Sequence, residues 1–274
     1  MYHTLLQESV LIVDIGNTNI VCAIYSKNEV IWTARLKADK DNTSDEYYVL
    51  LGSLLQASNI ATVNTFGWQD IRYIALGSVV PELTRVWKHL FSKYFPAEVI
   101  EIDAVSPLGI SFRVDNPSFI GADLIANAYA AWQKYKSSSI IIDLGTATTI
   151  ELISATGMFE GAVIAPGMKT GADNLFSKAA KLYSIELVPP SALMGLNTTE
   201  AMLSGIVYGH SLMLNAFLHK IKEQYSQLTP FKTILTGGMA ELVSPYIDGI
   251  DIMDKGLTLD GFYLALCKVL QNRL

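Results

Sequence analysis

Cysteine is scarce in this 274-residue chain: Cys22 and Cys267 are the only two. Two thiols so placed cannot build a disulfide framework or a zinc cluster, so a reduced, cytoplasmic setting is the expectation. Charge is also scarce, at 17% of residues against 50% hydrophobic. That balance excludes a disordered tail protein and supports a sizeable buried core. Lysine and arginine number 20 against 26 aspartates and glutamates, a net charge of −6. A basic surface that could displace counterions from phosphates is missing, so no nucleic-acid partner is expected. Lys134–Lys136 is too short a basic stretch to change this. Met1–Glu8 has neither the basic region nor the apolar run of a signal peptide. His3, His89, His210 and His219 lie near no cysteine or aspartate at metal-ligand spacing. His210 reads as a hydrogen-bonded core or interface group, and Cys22 as inert packing inside a strand.

One stretch bears on membranes. Ala201–His219 carries no Asp, Glu, Lys or Arg and is long enough to span a bilayer. Ser204, Gly205, Gly209, His210, Ser211 and Asn215 interrupt it, so a buried helix or a subunit interface is expected instead of a membrane span.

What the chain does have is alternation of strand-length apolar runs with helical patterns, the mark of an α/β fold. Val10–Asp14, Ile20–Tyr25 and Val30–Leu36 read as an antiparallel meander. A helix follows over Asp45–Gln56, capped by Thr43 or Ser44, then a strand at Ile71–Leu76 and a helix over Glu82–Tyr94 opened by Pro81. Glu98–Ile102 is a strand, and Gly121–Tyr135 an alanine-rich helix. The pattern then restarts, with strands at Ile140–Asp143, Thr148–Ser154 and Gly161–Ala165, and helices at Gly171–Leu182 and Thr199–Gln224. A strand at Thr233–Leu235 and a helix at Leu259–Leu274 close it. Strand, aspartate, turn, strand thus occurs twice, at Asp14 and at Asp143. A duplicated two-lobe architecture is the simplest explanation. It is expected to divide into residues 1–118 and 119–274.

Three elements carry the chemistry. Asp14-Ile15-Gly16-Asn17-Thr18-Asn19 ends an apolar strand. Gly16 permits a positive φ and close backbone approach to a ligand, and amides in such a turn can cradle an anion. Asp14 could hold Mg²⁺ through water, since that ion takes a carboxylate or two plus phosphate oxygens. Taken alone, the motif also fits an ordinary hairpin turn in which Asp and Asn cap their own backbone. Asp143-Leu144-Gly145-Thr146-Ala147-Thr148 repeats the same logic. Leu235-Thr236-Gly237-Gly238-Met239-Ala240 is a strand running into a double glycine, where the backbone can lie flat against a nucleoside. Neither a G-x-x-x-x-G-K-S/T loop nor a G-x-G-x-x-G fingerprint occurs.

In this order the three resemble the phosphate 1, phosphate 2 and adenosine motifs of the acetate-kinase, sugar-kinase, Hsp70 and actin superfamily. Further segments narrow the resemblance. They are Asn116-Pro117-Ser118-Phe119-Ile120-Gly121-Ala122-Asp123, Gly161–Gly167, Asn197–Gly205, Thr43–Tyr47 and Ser78–Pro81. Together they resemble type III pantothenate kinases, from about Leu11 to about Tyr263.

The resemblance implies a duplicated actin/ribonuclease H-like fold of mixed sheets with an interlobe cleft. It implies an enzyme that phosphorylates pantothenate with ATP and Mg²⁺, the first step of coenzyme A biosynthesis. Asp14, Gly16, Asn17, Thr18, Asn19, Thr146, Gly237 and Gly238 would contact ATP. Asp123 would be the general base, against the alternative of helix capping. Gly121, Ala122, Asp123, Leu124, Thr198 and Val114 would line the pantothenate side. Asp143 would hold a monovalent cation, K⁺ or NH₄⁺, and the chain would be a homodimer. Departures from the family pattern fall on the acceptor side: Leu124 stands where an arginine is usual and Val114 where a tyrosine is usual. Losing an arginine that holds a carboxylate could cost about 1.5–3 kcal/mol. Arg113 and Lys181 are the cations that could replace it. Smaller departures are Ala23, Glu160, Glu151 and Tyr183. They leave open a regulatory homologue, or a kinase for a less anionic acceptor such as pantetheine.

Overall fold

The computed structural model describes residues 8–58, 66–179 and 181–273. The chain divides into two compact units, each assembled from separated segments. The first comprises Met1–Gly109, Asn116–Ala130 and Thr258–Leu274; the second comprises Ile110–Asp115 and Ala131–Leu257.

In the first unit, β1 (Ser9–Ile15), β2 (Asn19–Ser26), β3 (Glu29–Lys37), β4 (Ile71–Ser78) and β5 (Glu98–Glu101) form one sheet in the order β3-β2-β1-β4-β5. The central position of β1 explains its composition. Val10, Leu11, Ile12 and Val13 are all buried, as expected of a strand covered on both faces. The edge strand β3 is mostly exposed or half-buried. Thr43 begins α1 (Ser44–Ala57) with a reciprocal capping box: its hydroxyl accepts from Glu46 N, and its own N–H donates to the Glu46 carboxylate at 2.7 Å. Pro81 opens α2 (Pro81–Tyr94). Tyr47 and Trp87 meet between these helices with ring centres 5.2 Å apart, both fully buried.

In the second unit, β6 (Ser111–Phe112), β7 (Ser138–Leu144), β8 (Ala147–Ile153), β9 (Met158–Pro166), β10 (Phe231–Thr236) and β11 (Ile252–Met253) run in the order β11-β10-β7-β8-β9-β6. The repeat expected from the sequence is explicit in the pairing. β1 is antiparallel to β2 and parallel to β4; β7 is antiparallel to β8 and parallel to β10. Asp14 stands opposite Gly77, and Asp143 opposite Thr236, so the two aspartates hold equivalent places.

Several expectations need correction. The single cut after residue 118 is replaced by discontinuous units, because the start of α3 (Ala122–Tyr135) and most of α8 (Leu257–Gln271) pack with the first sheet. Phe262 lies against Gly77, and Gly261 against Ala126. The helix expected at 171–182 is α4 (Met168–Lys178). The expected single helix from 199 to 224 is α5 (Thr198–Leu203), a π turn (Ser204–Tyr208) and α6 (Gly209–Gln224). That run is long and apolar enough to cross a membrane. Its Val207, Leu214 and Leu218 nonetheless pack in the core of the second unit with Ile140, Ile142 and Leu235.

Gly261 decides how closely α8 can approach α3. A Cβ there would fall 2.1 Å from the carbonyl oxygen of Ala126. Glycine to alanine inside a helix ordinarily stabilises by up to about 1 kcal/mol. Here the overlap is with backbone, so Gly261→Ala is expected to destabilise by about 1–3 kcal/mol. Chemical denaturation checks the sign.

Candidate active site

The first unit holds the Asp14 turn and Asp123. Gly16 N–H donates to the Asn19 carbonyl at 2.9 Å and closes the turn between β1 and β2. Gly16 does not adopt the positive φ expected of it; a Cβ there would sit 3.1 Å from that carbonyl, so tightness is what favours glycine. Asn17 and Thr18 are exposed, while Asp14 and Asn19 are half-buried. At the end of β1, the Ile15 carbonyl accepts from Val79 N at 3.0 Å. The Val79 side chain faces Gly121, where a Cβ would lie 3.2 Å from it and 2.4 Å from Asp123 Oδ1. The chain Ile15, Val79, Gly121, Asp123 therefore brings the turn and the carboxylate into one neighbourhood.

Asp123 is the second residue of α3, and its Oδ1 accepts from Leu124 N at 2.9 Å. Burial pushes its pKa above the ordinary carboxylate value, with backbone hydrogen bonding opposing the shift. A carboxyl held this way is a better proton acceptor than an exposed one. Ala122 and Leu124 beside it are buried.

The second unit gathers Asp143, Thr146, Gly237 and Gly238. Gly145 N–H donates to the Ala147 carbonyl at 3.0 Å, and Gly145 and Thr146 are exposed. The Thr146 carbonyl accepts from Gly167 N at 3.1 Å and from Thr170 Oγ1 at 2.7 Å, which fixes the turn to the start of α4. Neither anchor is legible in the sequence, where the helical pattern starts at Gly171, beyond both Gly167 and Thr170. Gly237 has φ +92°, and a Cβ on it would stand 2.4 Å from Leu144 N and 2.5 Å from Asp143 Oδ1. Gly238 is different: a Cβ there meets nothing within 4 Å. Next to the turn, Thr148 Oγ1 lies 2.9 Å from His210 Nε2.

The acceptor-side residues are divided. Gly121, Ala122, Asp123 and Leu124 belong to the first unit, Val114 and Thr198 to the second. Thr198 is the exposed first residue of α5, behind an Asn197 cap that accepts from Glu200 N at 3.0 Å. Val114 is half-buried just past β6. Its neighbour Arg113 is paired with the nearly fully buried Glu160, Nε to carboxylate at 2.7 Å. Arg113 is thus already compensated, whereas Lys181 is exposed.

Among the described residues no group of three or more His, Cys, Asp or Glu is placed to hold a metal. A single carboxylate at each turn suits a hard cation that arrives with phosphate oxygens as its other ligands. Within the second unit, the open space at Gly238 and the exposed Gly145-Thr146 turn suit a phosphate-bearing nucleotide.

The two glycines separate fold from ligand. Gly237→Ala is expected to destabilise by about 2 kcal/mol or more through backbone strain and overlap. Gly238→Ala should leave the thermal midpoint unchanged and weaken binding of a non-hydrolysable ATP analogue in calorimetry.

Residues 10–220 match the family model described as type III pantothenate kinase. The type III pantothenate kinase of Geobacter sulfurreducens is 36% identical over 251 residues, covering 92% of this chain and 95% of that one. A Campylobacter jejuni protein assigned to the Baf family of transcriptional activators has a similar solved structure. Its TM-score is 0.57 at 18% identity, with 96% of this chain and 100% of that one covered. MreB 5 of Spiroplasma citri, solved with AMPPNP, gives a TM-score of 0.55 at 11% identity, covering 97% and 99%. These structures share the duplicated actin-like α/β fold. With a family model spanning most of its length and a relative matched nearly end to end, the chain belongs to the type III pantothenate kinase family.

Proposed function

We infer that this protein transfers the γ-phosphoryl group of ATP to the terminal hydroxyl of pantothenate, giving 4′-phosphopantothenate at the start of coenzyme A biosynthesis. The observation that carries this reading is the half-buried Asp123 carboxylate, held beside Gly121 and Val79 at the end of the strand that carries the Asp14 turn. The hydroxyl proton passes to Asp123, the acceptor oxygen bonds to the γ-phosphorus, and the bond to the β–γ bridging oxygen breaks to release ADP. A loose phosphoryl-transfer transition state asks mainly for positioning, which a half-buried carboxylate at a helix start provides.

The Asp14–Asn19 turn serves as one phosphate loop and the Asp143–Thr146 turn as another, with Gly237 and Gly238 beneath the nucleoside. Asp14 would hold Mg²⁺ through water, and the ion would supply neutralisation of the phosphate charge. Asp143 is the ligand for K⁺ or NH₄⁺. Thr198 contacts pantothenate, with Val114, Gly121, Ala122 and Leu124 along its path. The protein works in the cytoplasm as a homodimer, a reading supported by the exposed apolar side chains of Leu193, Met194 and Leu196. The regulatory and altered-acceptor alternatives raised by Leu124 and Val114 gain nothing from the relatives.

A coupled assay with ATP, Mg²⁺, K⁺ and pantothenate tests the activity. Asp123→Asn is expected to lower kcat by about 10²–10⁴-fold; a variant as active as wild type would remove Asp123 from the role. The pH dependence has a definite sign. Asp123 accepts a proton only when ionised, and its pKa is raised. Turnover in the wild type should therefore rise with pH through a limb above the ordinary carboxylate range and level off beyond it. Asp123→Asn should lack that limb.

A further inference from the structure

One helical run in the second unit is tied both to the Asp143–Thr146 turn and to the segment that follows Gly237 and Gly238. It begins at Thr198 and continues through α5, the π turn and α6. π turns inside helices often accompany functional adjustments of register. Here the Ser204 hydroxyl donates to the Leu193 carbonyl at 2.5 Å. Beyond the turn, His210 Nε2 is 2.9 Å from Thr148 Oγ1. Thr148 is 1% exposed and pairs with Leu144, directly after the residue whose carbonyl closes the Gly145 turn. On another side, Tyr208 meets Tyr246 edge-on at 4.7 Å. Asn215 donates from Nδ2 to the Tyr246 carbonyl at 3.0 Å and accepts from Asp248 N at 3.0 Å. That last segment follows Gly237 and Gly238 in the chain.

We propose that His210 is a positioning residue: through Thr148 it fixes the Asp143–Thr146 phosphate turn to the helix that starts with Thr198, so that nucleotide and acceptor contacts share one register. The proposal rests on the phosphate-loop and acceptor roles given above to that turn and to Thr198. Burial lowers the imidazole pKa, so at neutral pH the ring is uncharged and can accept the Thr148 hydroxyl proton. Thr148 is nearly inaccessible to water, so its hydroxyl depends on this partner.

The test compares His210→Leu, Thr148→Val, the double variant and two conservative replacements, His210→Gln and Thr148→Ser. His210→Leu and Thr148→Val should each raise KM for ATP and for pantothenate by about three- to tenfold, the worth of one hydrogen bond. The double variant should be no worse than either single one, and the conservative pair should return both KM values to within about twofold of wild type. A purely structural role would lower the thermal midpoint and the active fraction with both KM values unchanged. That result, or additive losses in the double variant, overturns the proposal. If wild type does not turn over pantothenate, the functional reading fails by itself. The His210 proposal is then read from the Kd of a non-hydrolysable ATP analogue, with the same shift and the same rescue expected; an unchanged Kd overturns it.

Discussion

The turn proposed to hold nucleotide in the second unit depends on a backbone without side chain lying against the end of β7. Gly237 occupies a left-handed conformation with no room for a Cβ beside Asp143 and Leu144. This closeness aligns the loop after β10 with the turn after β7, and Met239 N donates to the Leu144 carbonyl at 3.3 Å across the same gap. Thr146 then has only to be held from the other side, which the start of α4 does. A turn built this way owes little to side-chain packing and much to main-chain contact, the kind of rigid support that the proposed phosphate role asks for.

The equivalent place in the first unit follows the same plan with different parts. Asp14 is matched by register to Asp143, and Gly77 stands where Thr236 stands. Gly77, however, makes room for the ring of Phe262, not for a neighbouring turn. One copy of the repeat spends its glycine on packing a helix and the other on shaping a loop. Among the residues proposed for the acceptor side and their neighbours, Leu124 is buried and Arg113 is engaged by Glu160. A cation held by a buried carboxylate gives up part of its attraction for another anion.

Much of this was legible from residues alone. The strands of both repeats are apolar runs ended by Gly, Asn or Asp, and their bounds in the structure differ by only a few residues. β6 and β11 escaped because two-residue strands carry no periodicity. The π turn escaped because Ser204–Tyr208 has the composition of ordinary helix; only its hydrogen bonding differs. Gly16 and Gly237 looked alike in sequence, yet tightness favours the first and a left-handed backbone requires the second. His210 was legible as a hydrogen-bonded group but not its partner, since Thr148 lies far away in the chain. The discontinuity of the units was equally hidden, because adjacency in sequence says nothing of which sheet a late helix will cover.

That discontinuity sets an order of assembly. Chains emerge from the ribosome at about 5–20 residues per second, and domains generally fold as units. The first unit joins segments that precede most of the second to Thr258–Leu274, which follows all of it; the second needs nothing beyond Leu257. The early segments of the first unit are therefore the ones that wait longest for its last piece. Until then Gly77 and Ala126 lack the helix that covers them.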